Sequence, residues 1–156
     1  MNAPIRIALA AAALAALPAV ATVTVSFPSA WYTDIGIGGS KEADDIKNEL
    51  ARYIHTLDEK YLKPEDSLWV DVIDVDLAGE PLSRGPRDRR VLRGGADFPV
   101  IVVRYRLDRG GKISSGEDRL REMGYFQSSL RINSSNESLY YEKRLLERWF
   151  RERFEK

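Results

Sequence analysis

The stretch Leu68-Trp69-Val70-Asp71-Val72-Ile73-Asp74-Val75-Asp76-Leu77-Ala78-Gly79-Glu80 constrains the fold more than any other part of the chain. It reads as the longest strand of a sheet and carries three carboxylates within six residues, Asp71, Asp74 and Asp76. Strict alternation fails within it. Val70 and Val72 share one face, with Trp69 and Asp71 on the other, but past Ile73 the polarity inverts. Asp74 and Asp76 would then fall on the face of Val70. One extra residue at Val72-Ile73, a β-bulge, restores the period of two on both sides. Leu68, Val70, Val72 or Ile73, Val75 and Leu77 then face a core, and Trp69, Asp71, Asp74 and Asp76 face away from it. Gly79 closes the strand, because glycine adopts a positive φ without steric penalty.

A second strand runs from Pro99 to Leu107. Ile101, Val103, Tyr105 and Leu107 fall on one face, and Val100, Val102, Arg104 and Arg106 on the other. Asp108-Arg109-Gly110-Gly111 reads as a hairpin turn, with a weaker returning strand from Lys112 to about Arg119. If this hairpin lies beside the aspartate strand, Arg104 and Arg106 can face Asp74 and Asp76. Opposite charges paired across strands contribute up to about 1 kcal/mol each.

Val23, Val25 and Phe27 alternate with polar residues as a short first strand ended by Pro28. Trp31 to Gly36 is an irregular aromatic segment. The glycines that follow, Gly38 and Gly39, do not have phosphate-loop spacing. Ser40 is placed to cap a helix whose apolar face is Ala43, Ile46, Leu50, Tyr53, Ile54, Leu57 and Tyr61, stopped by Pro64. The single histidine, His55, falls on the opposite, solvated face and is assigned no role. A last helix is expected from Ser138 to about Phe154, behind a capping box of Ser134 and Glu137. Counting from Glu142, Leu145, Leu146, Trp149 and Phe150 stand at i+3, i+4, i+7 and i+8, so a carboxylate sits inside a buried stripe. An unpaired buried carboxylate costs several kcal/mol, so this group must ionise with a partner, accept hydrogen bonds or stay protonated. Arg104, Arg106 or an arginine of the 84–93 loop could be that partner.

The resulting order, β-α-β-β-β-α, gives an α+β, two-layer sandwich: a mainly antiparallel sheet with two amphipathic helices on one face. With 156 residues, one domain suffices. Twenty-four basic and 24 acidic side chains cancel, which argues against nucleic acid as a partner. The absence of cysteine excludes disulfides, thiolate metal sites, a cysteine nucleophile and a lipid-anchoring cysteine, and one histidine excludes a multi-histidine metal centre.

Met1 to Arg6 carries one positive side chain, and Ile7 to Leu17 is an uncharged apolar run. Pro18 breaks the run and Ala19-Val20-Ala21 supplies a small-x-small cleavage site. Residues 1–21 therefore read as a cleaved signal peptide and 22–156 as the mature domain, located in the periplasm and touching the membrane only during export. The competing reading is a retained membrane anchor.

Pro81 to Phe98 is a long connection with Arg84, Arg87, Arg89, Arg90 and Arg93. Arg90-Val91-Leu92 could pair with a neighbouring strand, and the arginines either contact a small anionic ligand or bind nearby carboxylates.

The chain resembles a family of small exported Gram-negative bacterial proteins classed as a domain of unknown function. The resemblance rests on Asp74-Val75-Asp76-Leu77-Ala78-Gly79-Glu80, on Arg90 to Pro99, and on Tyr141-Glu142-Lys143 with Trp149-Phe150. It implies export and a shared fold but no activity.

No nucleophile elbow or catalytic triad is visible. The expected function is a non-catalytic envelope module, without a cofactor, that binds an envelope protein or small anionic ligand. The candidate binding residues are Trp69, Asp71, Asp74, Asp76, Arg90, Arg104, Arg106 and Glu142, with Trp31 and Tyr32 as further exposed aromatics. The alternative is a carboxylate-based metal-binding protein or hydrolase using Asp71, Asp74 and Asp76.

Overall fold

The computed structural model describes residues 20–36, 39–81, 90–91, 97–121 and 137–155. Residues 1–19 of the expected signal peptide, Ser134 of the capping box and most of the arginine loop lie outside them. In chain order the elements are β1 (Thr22–Ser26), α1 (Ser40–Thr56), α2 (Asp58–Tyr61), β2 (Asp66–Asp76), β3 (Glu80–Pro81), β4 (Arg90–Val91), β5 (Val100–Arg109), β6 (Lys112–Arg121) and α3 (Tyr140–Phe154). Four strands form one sheet in the order β1-β2-β5-β6, and β3 pairs with β4 separately. β1 runs parallel to β2, and the β2–β5 and β5–β6 pairs are antiparallel, so the sheet is mixed and the fold is α+β.

The bulge in β2 lies where the alternation breaks. Val72 pairs with Val103 and Asp74 with Val102, which leaves Ile73 as the extra residue. Leu68, Val70, Val72, Val75 and Leu77 are buried as a result. Across the ladder Leu68 meets Leu107, Val70 meets Tyr105, and Val75 meets Ile101. These residues share one core with Leu50 and Ile54 of α1 and Leu145, Leu146, Trp149, Phe150 and Phe154 of α3. Each such side chain contributes about 1.5–3 kcal/mol by leaving water. Edge-to-face contacts at 5.0–5.9 Å join Tyr105, Trp149, Phe150 and Phe154, a geometry favoured by the ring quadrupoles.

Helix ends depart from the sequence reading. Gly39, not Ser40, occupies the N-cap of α1, and no side chain caps it. The helix does not continue to Pro64 but stops at Thr56, and α2 follows Leu57 as one further turn. Leu57 and Tyr61 stay buried across this break. Leu62 is already extended, in the approach to Pro64. α3 begins at Tyr140 rather than Ser138, after Leu139 in the left-handed region at φ 53°. The hairpin turn is tighter than Asp108 to Gly111. Arg109 pairs with Lys112, so Gly110 (φ 59°) and Gly111 (φ 88°) alone make the turn, and only glycine readily supplies two successive positive φ angles. β6 consequently runs on to Arg121.

Candidate functional site

The outward face of the sheet is built in rows across the strands. One row reads Ser26, Asp71, Arg104, Glu117 and the next reads Thr24, Trp69, Arg106, Ser115. This register corrects the expected charge pairing. Arg104 stands opposite Asp71 and Arg106 opposite Trp69, whereas Asp74 and Asp76 stand opposite Val102 and Val100.

The first row is tied together. Ser26 donates its hydroxyl to Asp71 (2.6 Å), and Arg104 pairs with Glu117 (3.0 Å). The exposed Arg104–Glu117 pair contributes little to stability. In the second row the Arg106 guanidinium lies 4.8 Å from the centroid of the Trp69 ring, which is 37% exposed. Among the described residues the Arg106 side chain makes no ion pair and no hydrogen bond. Trp69, Asp71, Arg104, Arg106, Ser115 and Glu117 border a shallow depression of about 360 Å³. A larger hollow of about 560 Å³ runs past Asp45, Glu49, Arg52 and His55. One helix lines it, which leaves no opposing wall to enclose a ligand.

Four of the eight candidates are thus gathered in one place, and the others are separated from it. Asp74 accepts the backbone N–H and the hydroxyl of Thr33, both at 2.7 Å. Asp76 stands further along β2, and Arg90 lies in β4 opposite Pro81. Glu142, 3% exposed, is on the opposite side of the sheet. Arg104 and Arg106 cannot be its partners, because their neighbours Val103, Tyr105 and Leu107 are the residues that face the core. Instead Ala78 donates its backbone N–H to Glu142 Oε1 at 2.7 Å. No three histidine, aspartate or glutamate side chains among the described residues are placed to hold a metal ion.

Two charged positions inside the fold escaped the sequence reading. Asp66, 1% exposed, pairs with Arg109 at 3.0 Å and accepts the Lys63 backbone N–H at 2.9 Å. Asp118 accepts the Trp149 indole N–H (2.9 Å) and two Arg153 bonds (3.1 and 2.7 Å). The available signal was parity. Asp66 falls on the face of Leu68, Arg109 on that of Leu107 and Asp118 on that of Leu120.

A second feature flanks the bulge. Past Ser26 the chain continues along β2 and bonds it at four consecutive residues. Tyr32 donates its hydroxyl to the Val72 carbonyl (3.3 Å), Ser29 its hydroxyl to the Ile73 carbonyl, Thr33 bonds Asp74, and Asp34 N–H meets the Val75 carbonyl (3.1 Å). Burial pushes the Tyr32 hydroxyl pKa up, which favours its protonated, donating form. Within this pinned segment Trp31 is 89% exposed.

A family described as a protein of unknown function, DUF3016, matches residues 21–152. The chain belongs to that family. No curated protein and no solved structure matches it. Family membership brings a domain of unknown function and no activity, so the reading of function rests on the geometry. Among the described residues no helix is long and apolar enough to cross a membrane.

Proposed function

We propose that this member of the family is an exported, non-catalytic module of the cell envelope that docks a partner protein through Trp31. The observation that carries this reading is an indole 89% exposed on a segment whose Ser29, Tyr32, Thr33 and Asp34 bond four consecutive β2 residues. A tryptophan side chain buries roughly 150–250 Å² in a contact. At about 25 cal/mol per Å² that corresponds to about 4–6 kcal/mol of gross stabilisation. Tryptophan is accordingly over-represented among residues that dominate interfaces. A segment already held in place loses little entropy on docking. Export is supported by the apolar run Ile7–Leu17 and the Ala19-Val20-Ala21 cleavage pattern. The family match begins at residue 21, where that pattern ends.

The alternative, metal binding or hydrolysis by Asp71, Asp74 and Asp76, has weaker support. Asp71 bonds Ser26 and Asp74 bonds Thr33, so two of the three carboxylates serve separate local contacts. Nucleic acid is disfavoured by the balanced charge.

A photo-crosslinking residue at position 31, expressed in a Gram-negative host, tests the proposal. The expected result is a discrete adduct in the osmotic-shock fraction, absent when the crosslinker occupies position 55. A mature N-terminus near Thr22 is expected by mass spectrometry. Diffuse adducts from both positions, or retention of the full leader on a cytoplasmic protein, would overturn it.

A further inference from the structure

We infer that Arg106, laid against Trp69, forms an oxyanion site on the outward sheet face that takes a small monocarboxylate bearing neighbouring N–H or O–H donors. Three observations point there. The guanidinium lies 4.8 Å from the indole centroid, a cation–π contact that draws on its charge. Among the described residues its N–H donors meet no acceptor, in contrast to Arg104, which pairs with Glu117 at 3.0 Å. Trp69, Arg106 and Ser115 border a shallow, open depression of about 360 Å³ on the sheet face.

The border of the depression selects the ligand's charge. Asp71 and Glu117 stand diagonally across from Arg106 in the adjoining row. Their two carboxylates balance the two guanidiniums. A dianion such as phosphate therefore meets repulsion from both, whereas a single carboxylate matches the planar guanidinium fork. The oxygens of Asp71 and Glu117 then accept donors that flank the ligand's carboxylate. Two sources share this chemistry, a peptide C-terminus and a sugar acid.

The site is independent of Trp31, and its test leaves that proposal untouched. The full mature chain is titrated with N-acetyl-Ala-Ala, with its C-terminal amide, with glucuronate and with inorganic phosphate. The readouts are the NMR signals of the Trp69 indole N–H and the Arg106 Nε–H. The expected result is a saturable shift of both signals with one of the two carboxylates, and which one identifies the source. Binding should weaken roughly tenfold or more for the amide or for Arg106→Lys, which keeps the charge but loses the fork. An unchanged Trp149 indole signal in that variant confirms an intact core. Four results would overturn the inference: no saturable shift with either carboxylate, measurable binding of the peptide acid and its amide with equal affinity, phosphate binding as tightly as the carboxylate, or indifference to Arg106→Lys.

Discussion

Arg109 stands directly across the β2–β5 ladder from Asp66, and its guanidinium reaches both the Asp66 carboxylate at 3.0 Å and the Phe154 carbonyl at 3.4 Å. One side chain therefore joins the start of β2, the end of β5 and the last turn of α3. Arg109→Met leaves a fully buried carboxylate with only the Lys63 amide. Removing one partner of a buried pair costs about 3–5 kcal/mol, and because Arg109 is partly exposed the lower end applies. Chemical denaturation should show a loss of about 3 kcal/mol, with Asp66→Asn milder than Arg109→Met.

The Glu142 carboxylate holds the Ala78 amide at 2.7 Å inside the core. Glu142→Gln keeps an oxygen acceptor there. Glu142→Leu leaves that N–H without it, a penalty of about 1–3 kcal/mol. The glutamine variant should therefore melt above the leucine variant. A leucine variant more stable than the parent would mean that the carboxylate is a net cost to stability.

Alkaline pH should expose the α1–α3 contact. Burial, reinforced by the carboxylates of Glu147 and Glu137, pushes the Tyr53 hydroxyl from its ordinary 10.0 up to about 12. The unfolded chain releases that proton near pH 10, while the folded chain holds it. This contribution is complete below pH 10 and is lost as pH rises toward about 12. Lys143 acts in the same direction. Burial pulls its pKa down, but Glu49 and Glu137 outweigh burial and raise it. Melting temperature followed through this window should fall less steeply for Tyr53→Phe than for the parent.

Gly116 sits under the ring of Tyr105. A Cβ at that position would lie 3.0 Å from Tyr105 Cε1, closer than ordinary contact. Gly116→Ala should destabilise by about 1–3 kcal/mol through overpacking. In a Tyr105→Leu background the same change should cost much less, so a double-mutant cycle by thermal unfolding should give a clear coupling energy.

Local periodicity made β2 and its bulge legible, because a single inserted residue inverts the polarity of everything after it. The buried stripe of α3 was legible for the same reason. Cross-strand partners were not. Asp71, Asp74 and Asp76 all face away from the core, and nothing in the strand itself says which of them meets Arg104. That depends on the β2–β5 register, which no tight turn sets, because residues 77–99 separate the two strands. The Asp66–Arg109 pair was hidden for a related reason. Each residue stands next to a turn signal and so passes for loop, although strand parity carries both inward. The Arg106–Trp69 stack required both the register and the knowledge that Glu117 draws off Arg104 but not Arg106.

The bulge at Ile73 has a consequence for the whole amino-terminal third. An interruption in a ladder ordinarily strands backbone acceptors at a sheet's rim, yet here the hydroxyls of Ser29 and Tyr32 seat themselves on those carbonyls. The defect in one strand is thus the socket for the segment that displays Trp31. Excising Ile73 would straighten the ladder and release that indole from its mount, so this fold's least regular hydrogen bonding is what aims its most prominent side chain.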